Sequence, residues 1–256
     1  MAEIYAVVNQ KGGSGKTTTT VNLAACYAVA GQRTLVIDLD PQANATTHLG
    51  VDREHVDLTV YDVLVDDAQP LAEVLVPSAV ENLMVAPSDV DLSGAEIEMA
   101  GEVGRELRLR QAIAEVEGFD LVMIDCPPSL GLLTVNALTA AEALIVPVEC
   151  EFFALAGVAV LTRTVELIQE RLNPDLEIAA IIPTKFDGRK NLCRDALAQM
   201  REFFGKLVTR RVVRTNVSLA EAPAAGEPIG VYAPGSHGAD DYRALARAIF
   251  DVRAKK

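Results

Sequence analysis

Three groups of residues in this chain could act on phosphate. They are a glycine–lysine loop, a set of carboxylates closing apolar runs, and a cluster of basic side chains. The loop is Gln10-Lys11-Gly12-Gly13-Ser14-Gly15-Lys16-Thr17-Thr18, directly after the apolar run Ile4-Tyr5-Ala6-Val7-Val8. Its glycines let backbone N–H groups turn inward around an anion. A helix starting near Lys16 would aim its positive end at the same point. Lys16 has the reach for β- and γ-phosphates, Thr17 offers a hydroxyl to Mg²⁺, and Thr18 can bond an α-phosphate. Gly12, Gly13, Ser14 and Gly15 make the cradle. The spelling departs from plain G-x-x-x-x-G-K-[ST] at its opening, where Lys11-Gly12-Gly13 stands. Lys11 is one lysine more than such a loop requires.

The carboxylates come next. Asp125 closes the run Leu121-Val122-Met123-Ile124, a position from which an acid can hold a Mg²⁺ water shell. Asp38 and Asp40 flank Leu39 just before Pro41, and in an extended chain alternation puts both side chains on one side. A further apolar run ends in Thr184-Lys185-Phe186-Asp187. Three of four such ends therefore place a carboxylate beside one edge.

The basic cluster is local. The chain of 256 residues has a net charge of −13, which argues against a protein that coats nucleic acid generally. Residues 185–214 nevertheless hold nine Lys/Arg against three acids, so this segment is +6 and the rest −13 − 6 = −19. Arg189, Lys190, Arg210, Arg211 and Arg214 are the candidates to meet a polyanion. A solvated, salt-bridged helix face is the alternative. Four scattered cysteines without a C-x-x-C pair disfavour a zinc site, an iron–sulfur cluster or a disulfide framework, and suggest a reducing compartment. No signal peptide is expected, and no run reaches the roughly 18 apolar residues of a membrane span.

Positioning these groups requires alternating strands and helices. Short runs rich in Val, Ile and Leu at 4–9, 34–38, 83–86, 120–125, 143–148 and 178–183 fit strands buried on both faces. Helical patterns at 17–30, 105–117, 154–171, 191–204 and 239–253 lie between and after them. The alternation predicts an α/β fold with a doubly wound, mostly parallel sheet and helices on both faces, as one domain over 1–256. Residues 41–82 are the least regular and are expected to form loops and short helices over one end of the sheet. Ligands in such sheets bind beyond the carboxyl ends of the strands, where the polar groups above converge.

With those groups in place, KGGSGKTTTTVNLA, VIDLDPQANAT and VMIDCPPSLGLLTVNAL resemble the ParA/Soj family of chromosome and plasmid partitioning ATPases. That family belongs to the deviant-Walker P-loop class that also contains MinD. The likeness runs on through VPVECEFFALAGV, IIPTKFDGRKNL and VSLAEAPAAGEPI to the last helix. It implies an ATP- and Mg²⁺-dependent ATPase, weak alone, that forms a sandwich dimer with Lys11 reaching across to the partner's ATP phosphates. It also implies that Asp40 positions the attacking water and that Asp38 assists near Mg²⁺. The adenine contacts would come from backbone near 184–186 and 213–217. Further implications are nonspecific double-stranded DNA binding through Arg189 and its neighbours, activation by a ParB/Spo0J-like centromere-binding partner, and a cytoplasmic, nucleoid-associated location. Departures from the family's commonest spelling are Ser14 for valine, Glu149 for glutamine, and the absence of two arginines at 215 and 218. A related ATPase positioning another cargo would share the same chemistry. A MinD-like membrane ATPase would need residues 239–253, with Tyr242, Leu245, Ala246, Ile249 and Phe250, to lie on lipid ahead of Lys255-Lys256. Acids Asp240, Asp241 and Asp251 dilute that stripe, and the resemblance implies a helix packed on the core, so no membrane partner is expected. A tyrosine kinase of the same loop class would need a tyrosine-rich tail, and the five tyrosines are widely spaced.

Overall fold

A computed structural model describes residues 2–66, 68–151 and 154–254. Seven strands form one sheet: β1 (Glu3–Val7), β2 (Thr34–Asp38), β3 (Val76–Pro77), β4 (Leu83–Ala86), β5 (Leu121–Asp125), β6 (Ala143–Glu149) and β7 (Glu177–Thr184). Their order is β3-β4-β2-β5-β1-β6-β7, parallel throughout except where β3 runs antiparallel at the edge. The connecting helices are α1 (Lys16–Val29), α2 (Asn44–His48), α3 (Val60–Val65), α4 (Leu92–Glu98), α5 (Arg108–Ala114), α6 (Leu132–Ala140), α7 (Ala154–Arg171), α8 (Asn191–Phe204), α9 (Ser218–Glu221), α10 (Ile229–Tyr232) and α11 (His237–Ala254).

Alternation along the strands sorts the apolar residues onto two faces. Ala6, Leu35, Ile37, Val122, Ile124, Leu144 and Val146 point to one side and meet buried residues of α3 to α8. Tyr5, Val7, Val36, Met123, Ile145 and Ile182 point to the other and meet α1, α2, α10 and α11. Strands covered on both faces read as unbroken apolar runs, which is why the six longer strands stand where their composition places them, with ends shifted by one or two residues.

The differences have physical reasons. The strand expected at 4–9 ends at Val7, because the backbone turns into the loop after Val8. The helical pattern at 105–117 is shorter: Arg105–Leu107 form a 3₁₀ turn and α5 stops at Ala114. β3 has only two residues, too short to alternate. α6 is apolar on nearly every side and buried along most of its length, so it carries no polar stripe for periodicity to detect. α4 went unanticipated for lack of length. Between residues 41 and 82 the short helices α2 and α3 do form, the latter with a capping box between Thr59 and Asp62.

The last helix is core. Ala239, Tyr242, Leu245, Ala246 and Ile249 are buried against α1. The Tyr242 hydroxyl lies 3.2 Å from that of Thr19, and Tyr27 donates to the Ala246 carbonyl at 3.3 Å. The Phe250 side chain and Lys255-Lys256 lie outside the described residues. Among the described residues, no helix is long and apolar enough to cross a membrane. Leu245→Ala should therefore destabilise the fold by about 2–5 kcal/mol, read from urea denaturation. A loss below roughly 0.5 kcal/mol is what an exposed helix face would give.

Candidate nucleotide site

The loop between β1 and α1 is held at both ends. Asn9 donates to the Pro147 carbonyl at 2.6 Å and accepts the Lys11 N–H at 2.9 Å, which ties the loop's start to β6. Thr184, closing β7, donates to the Ser14 carbonyl at 2.8 Å. Gly13 and Gly15 adopt φ of 72° and 93°, a left-handed geometry that a side chain would strain. The helix then begins at Lys16. Lys16 is 7% exposed, and its ammonium donates back to the Lys11 carbonyl at 3.4 Å. Burial draws its pKa down, opposed by Asp125 and Asp40. The Ser14 hydroxyl is buried and has no hydrogen-bond partner.

Asp38 and Asp125 stand opposite each other in register on neighbouring strands, both with no exposed surface. Asp125 accepts the hydroxyls of Thr17 at 2.7 Å and Thr20 at 2.9 Å. Asp38 accepts the Thr46 N–H and hydroxyl, both at 2.8 Å, and the Asp40 N–H at 3.1 Å. Asp40, 8% exposed, accepts the Gln42 N–H at 3.0 Å. Burial first, then the neighbouring Asp38, pushes Asp125 up to about 8. Burial also raises Asp38 to about 6, against the Thr46 hydrogen bonds. Both are first the responses of acids taken out of water, with Asp38 adding to the rise of Asp125 and Asp40 to that of Asp38. The donor set around Thr17 and Asp125 is oxygen only, which fits Mg²⁺. Among the described residues no cluster of three or more His, Cys, Asp or Glu could hold a metal alone. That agrees with an ion completed by phosphates and water.

Lys11 stands apart from the cradle. Its side chain is 44% exposed and pairs with Glu149 at 2.9 Å and with Glu151. Desolvation lowers its pKa, but the hydrogen bonds to Glu151 and Glu149 outweigh this and the net shift is upward. Glu149 also meets Lys185 at 3.5 Å. The two segments expected near adenine come together: Phe186 donates to Val213 at 3.0 Å, and Thr215 donates back to Phe186 at 3.0 Å. Thr18 is half-buried on the first turn of α1, and Gly12 has open space on its outer side.

The basic candidates divide. Arg189 is 91% exposed and chelates Asp187 through Nε and Nη2, both at 3.0 Å, holding that acid down near 2. Lys190 and Arg210 are exposed. Arg214 and Arg211 are part-exposed and ion-paired. Both are committed to Asp241 of α11, which has no exposed surface: Arg214 Nη2 lies 2.7 Å and Arg211 Nε 2.8 Å from Oδ1. A buried carboxylate left without those partners would be costly, so these two arginines also brace the fold.

Sequence reasoning missed Thr20, Thr46 and the anchoring role of Asn9. Thr20 was legible as the residue one turn beyond Lys16 in the threonine run; Thr46 lies eight residues from its partner and carries no motif.

A mostly parallel sheet whose first strand opens into this loop, with a buried acid on the strand next to that of Asp38 bonded to the loop threonine, defines a P-loop ATPase. Soj of Bacillus subtilis (strain 168), described as a sporulation initiation inhibitor protein, is 47% identical over 250 residues, covering 97% of this chain and 98% of that protein. The chain belongs to the ParA/Soj family of chromosome partitioning ATPases, within the superfamily that includes MinD. A chromosome partitioning protein ParA of Myxococcus xanthus is 44% identical over 97% of this chain and 88% of its own. A family model described as an AAA domain matches residues 2–178. The crystal structure of cobyrinic acid a,c-diamide synthase from Mycobacterium smegmatis with bound ADP and magnesium superposes with a TM-score of 0.84 at 37% identity, over 98% of this chain and 94% of that one.

Acids whose folded pKa is raised keep protons that the unfolded chain loses above about pH 4. Stability of the nucleotide-free protein should therefore fall as pH rises from about 4 towards about 8. Asp125→Asn should raise the melting temperature at pH 8 above the parent's, at about 2–4 °C per kcal/mol for a chain of this size, while weakening Mg²⁺–ADP binding. A parental melting temperature that does not change between pH 6 and 8 would contradict the raised acids.

Proposed function

We propose that the chain works as one domain that couples ATP hydrolysis to reversible, sequence-independent DNA binding as a sandwich dimer. A DNA-bound ParB-type partner would stimulate hydrolysis in chromosome or plasmid segregation. The observation that carries this reading is the placement of Lys11. It lies outside the cradle on the exposed rim of the loop, where it can meet a second subunit's triphosphate. Without triphosphate, Lys11 stays with Glu149 and Glu151 and has no anion to meet across an interface, so dimerisation depends on nucleotide.

Each residue's task follows from its position. Lys16 and the inward backbone of Gly12 to Gly15 bind the β- and γ-phosphates. Thr18 serves the α-phosphate. Thr17 and Asp125 would hold Mg²⁺, with Asp38 beside them, and the ion supplies neutralisation of the phosphate charge. Asp40 has its carboxylate at the strand edge beyond the buried Asp38, and it orients the attacking water. Asp40→Ala should keep ATP affinity within about threefold but lower turnover by roughly 10²-fold or more, trapping the dimer. Hydrolysis at the parental rate would remove Asp40 from the mechanism.

Arg189, Lys190 and Arg210 supply three exposed cations per subunit, six per dimer. Binding to a random-sequence duplex should require a non-hydrolysable ATP analogue and fall by about 10³–10⁵ between roughly 50 and 200 mM salt. Arg189→Glu should abolish it, and Arg214→Ala should instead lower stability. DNA binding that ignores nucleotide, or survives Arg189→Glu, would refute this reading. The same cycle would serve a relative that positions a different cargo, in which case the activating partner is the component that differs.

A further inference from the structure

Glu149 stands one residue before Cys150 at the end of β6, and nothing in the cycle above uses it. An acid beside a phosphate loop is unfavourable, because it repels the triphosphate that the loop exists to bind. The structure supplies a compensation. Lys185, the residue following β7, lies with its ammonium 3.5 Å from Glu149 Oε2. The same ammonium lies 3.8 Å from where a Cβ on Gly13 would stand, so it borders the loop itself. Lys185 is held there by backbone geometry that a non-glycine residue seldom adopts, a φ of 50°. Its carbonyl accepts the Thr215 hydroxyl at 3.1 Å, and its neighbour Thr184 donates to Ser14. The position is fixed from two sides.

We infer that Lys185 is a positioning residue for nucleotide binding: it retains Glu149 when Lys11 turns to a triphosphate, and so halves the negative charge left at the mouth of the loop. The charge count makes the point. In the free chain Lys11 and Lys185 face Glu149 and Glu151, a neutral set. Once Lys11 is engaged elsewhere, Lys185 leaves that set at −1; without Lys185 it would be −2. Glu149 is thus both the resting partner of Lys11 and the holder of Lys185, and the two substitutable positions depend on each other. This inference rests on the nucleotide site and on Lys11 leaving its carboxylates, and not on DNA binding.

The test is a double-mutant cycle with Lys185→Met and Glu149→Gln in the full chain. The readouts are the dissociation constants of fluorescent ADP and a non-hydrolysable ATP analogue at two salt concentrations. Lys185→Met alone should weaken the analogue by roughly two- to fivefold, the range of a half-exposed ion pair, with a smaller loss for ADP. Adding Glu149→Gln should restore parental affinity, and the difference should shrink at high salt. An unchanged Lys185→Met would overturn the inference. So would a loss that persists in the double variant, since Lys185 would then act on the nucleotide directly rather than through Glu149. Tight analogue binding by the parent in the same assay, with or without DNA binding elsewhere, keeps the two readings separable.

Discussion

Asp125 has no solvent-exposed surface, yet it accepts two hydroxyls from the first turns of α1. That contact pins the start of the helix to the end of β5, and with it one end of the loop between β1 and α1. The phosphate cradle is therefore a by-product of how a strand and a helix are joined. The register of the sheet does the rest. Asp38 faces Asp125 across one strand spacing because β2 and β5 pair residue for residue up to their last members. A slip of one residue in that pairing would turn one of the two acids to the opposite face of the sheet.

Around this buried anionic centre the cations stand at two depths. Lys16 is nearly enclosed, whereas Lys11 and Lys185 are both about half-exposed beside carboxylates. Depth sets what each can do. A buried ammonium is strong and fixed, because low dielectric amplifies its field. An exposed one is weak and can change partners, because water replaces what it leaves. The site thus holds one residue type at two burial levels, one fixed in the loop and one free to change partners.

Most of the site was legible in the sequence because its chemistry is local. Lys16, Thr17 and Thr18 follow one another, and Asp125 announces itself by ending an apolar strand. The six longer strands were legible because a sheet covered on both faces needs continuous apolar runs. What stayed hidden depends on distant chain segments. α6 is buried nearly all round and has no amphipathic signature. The commitment of Arg211 and Arg214 to Asp241 could not be seen, since the acid lies 27 residues beyond Arg214 and looks like any other helix-surface aspartate. Charge counting found the basic segment correctly but could not say which of its members were already spoken for. Glu149 was visible as a departure, and only the approach of Lys185 across the β6–β7 pair gives it a purpose.

Asp241 also ties together regions that the chain keeps apart. It accepts the Arg214 N–H at 3.0 Å as well as both guanidinium groups. Arg214 in turn sits between Val213 and Thr215, which bridge to Phe186 at the rim of the site. The terminal helix is consequently a strut bracing the segment that pairs with the chain just beyond β7. Shortened versions of this protein that drop the helix would lose that brace along with a large part of one core.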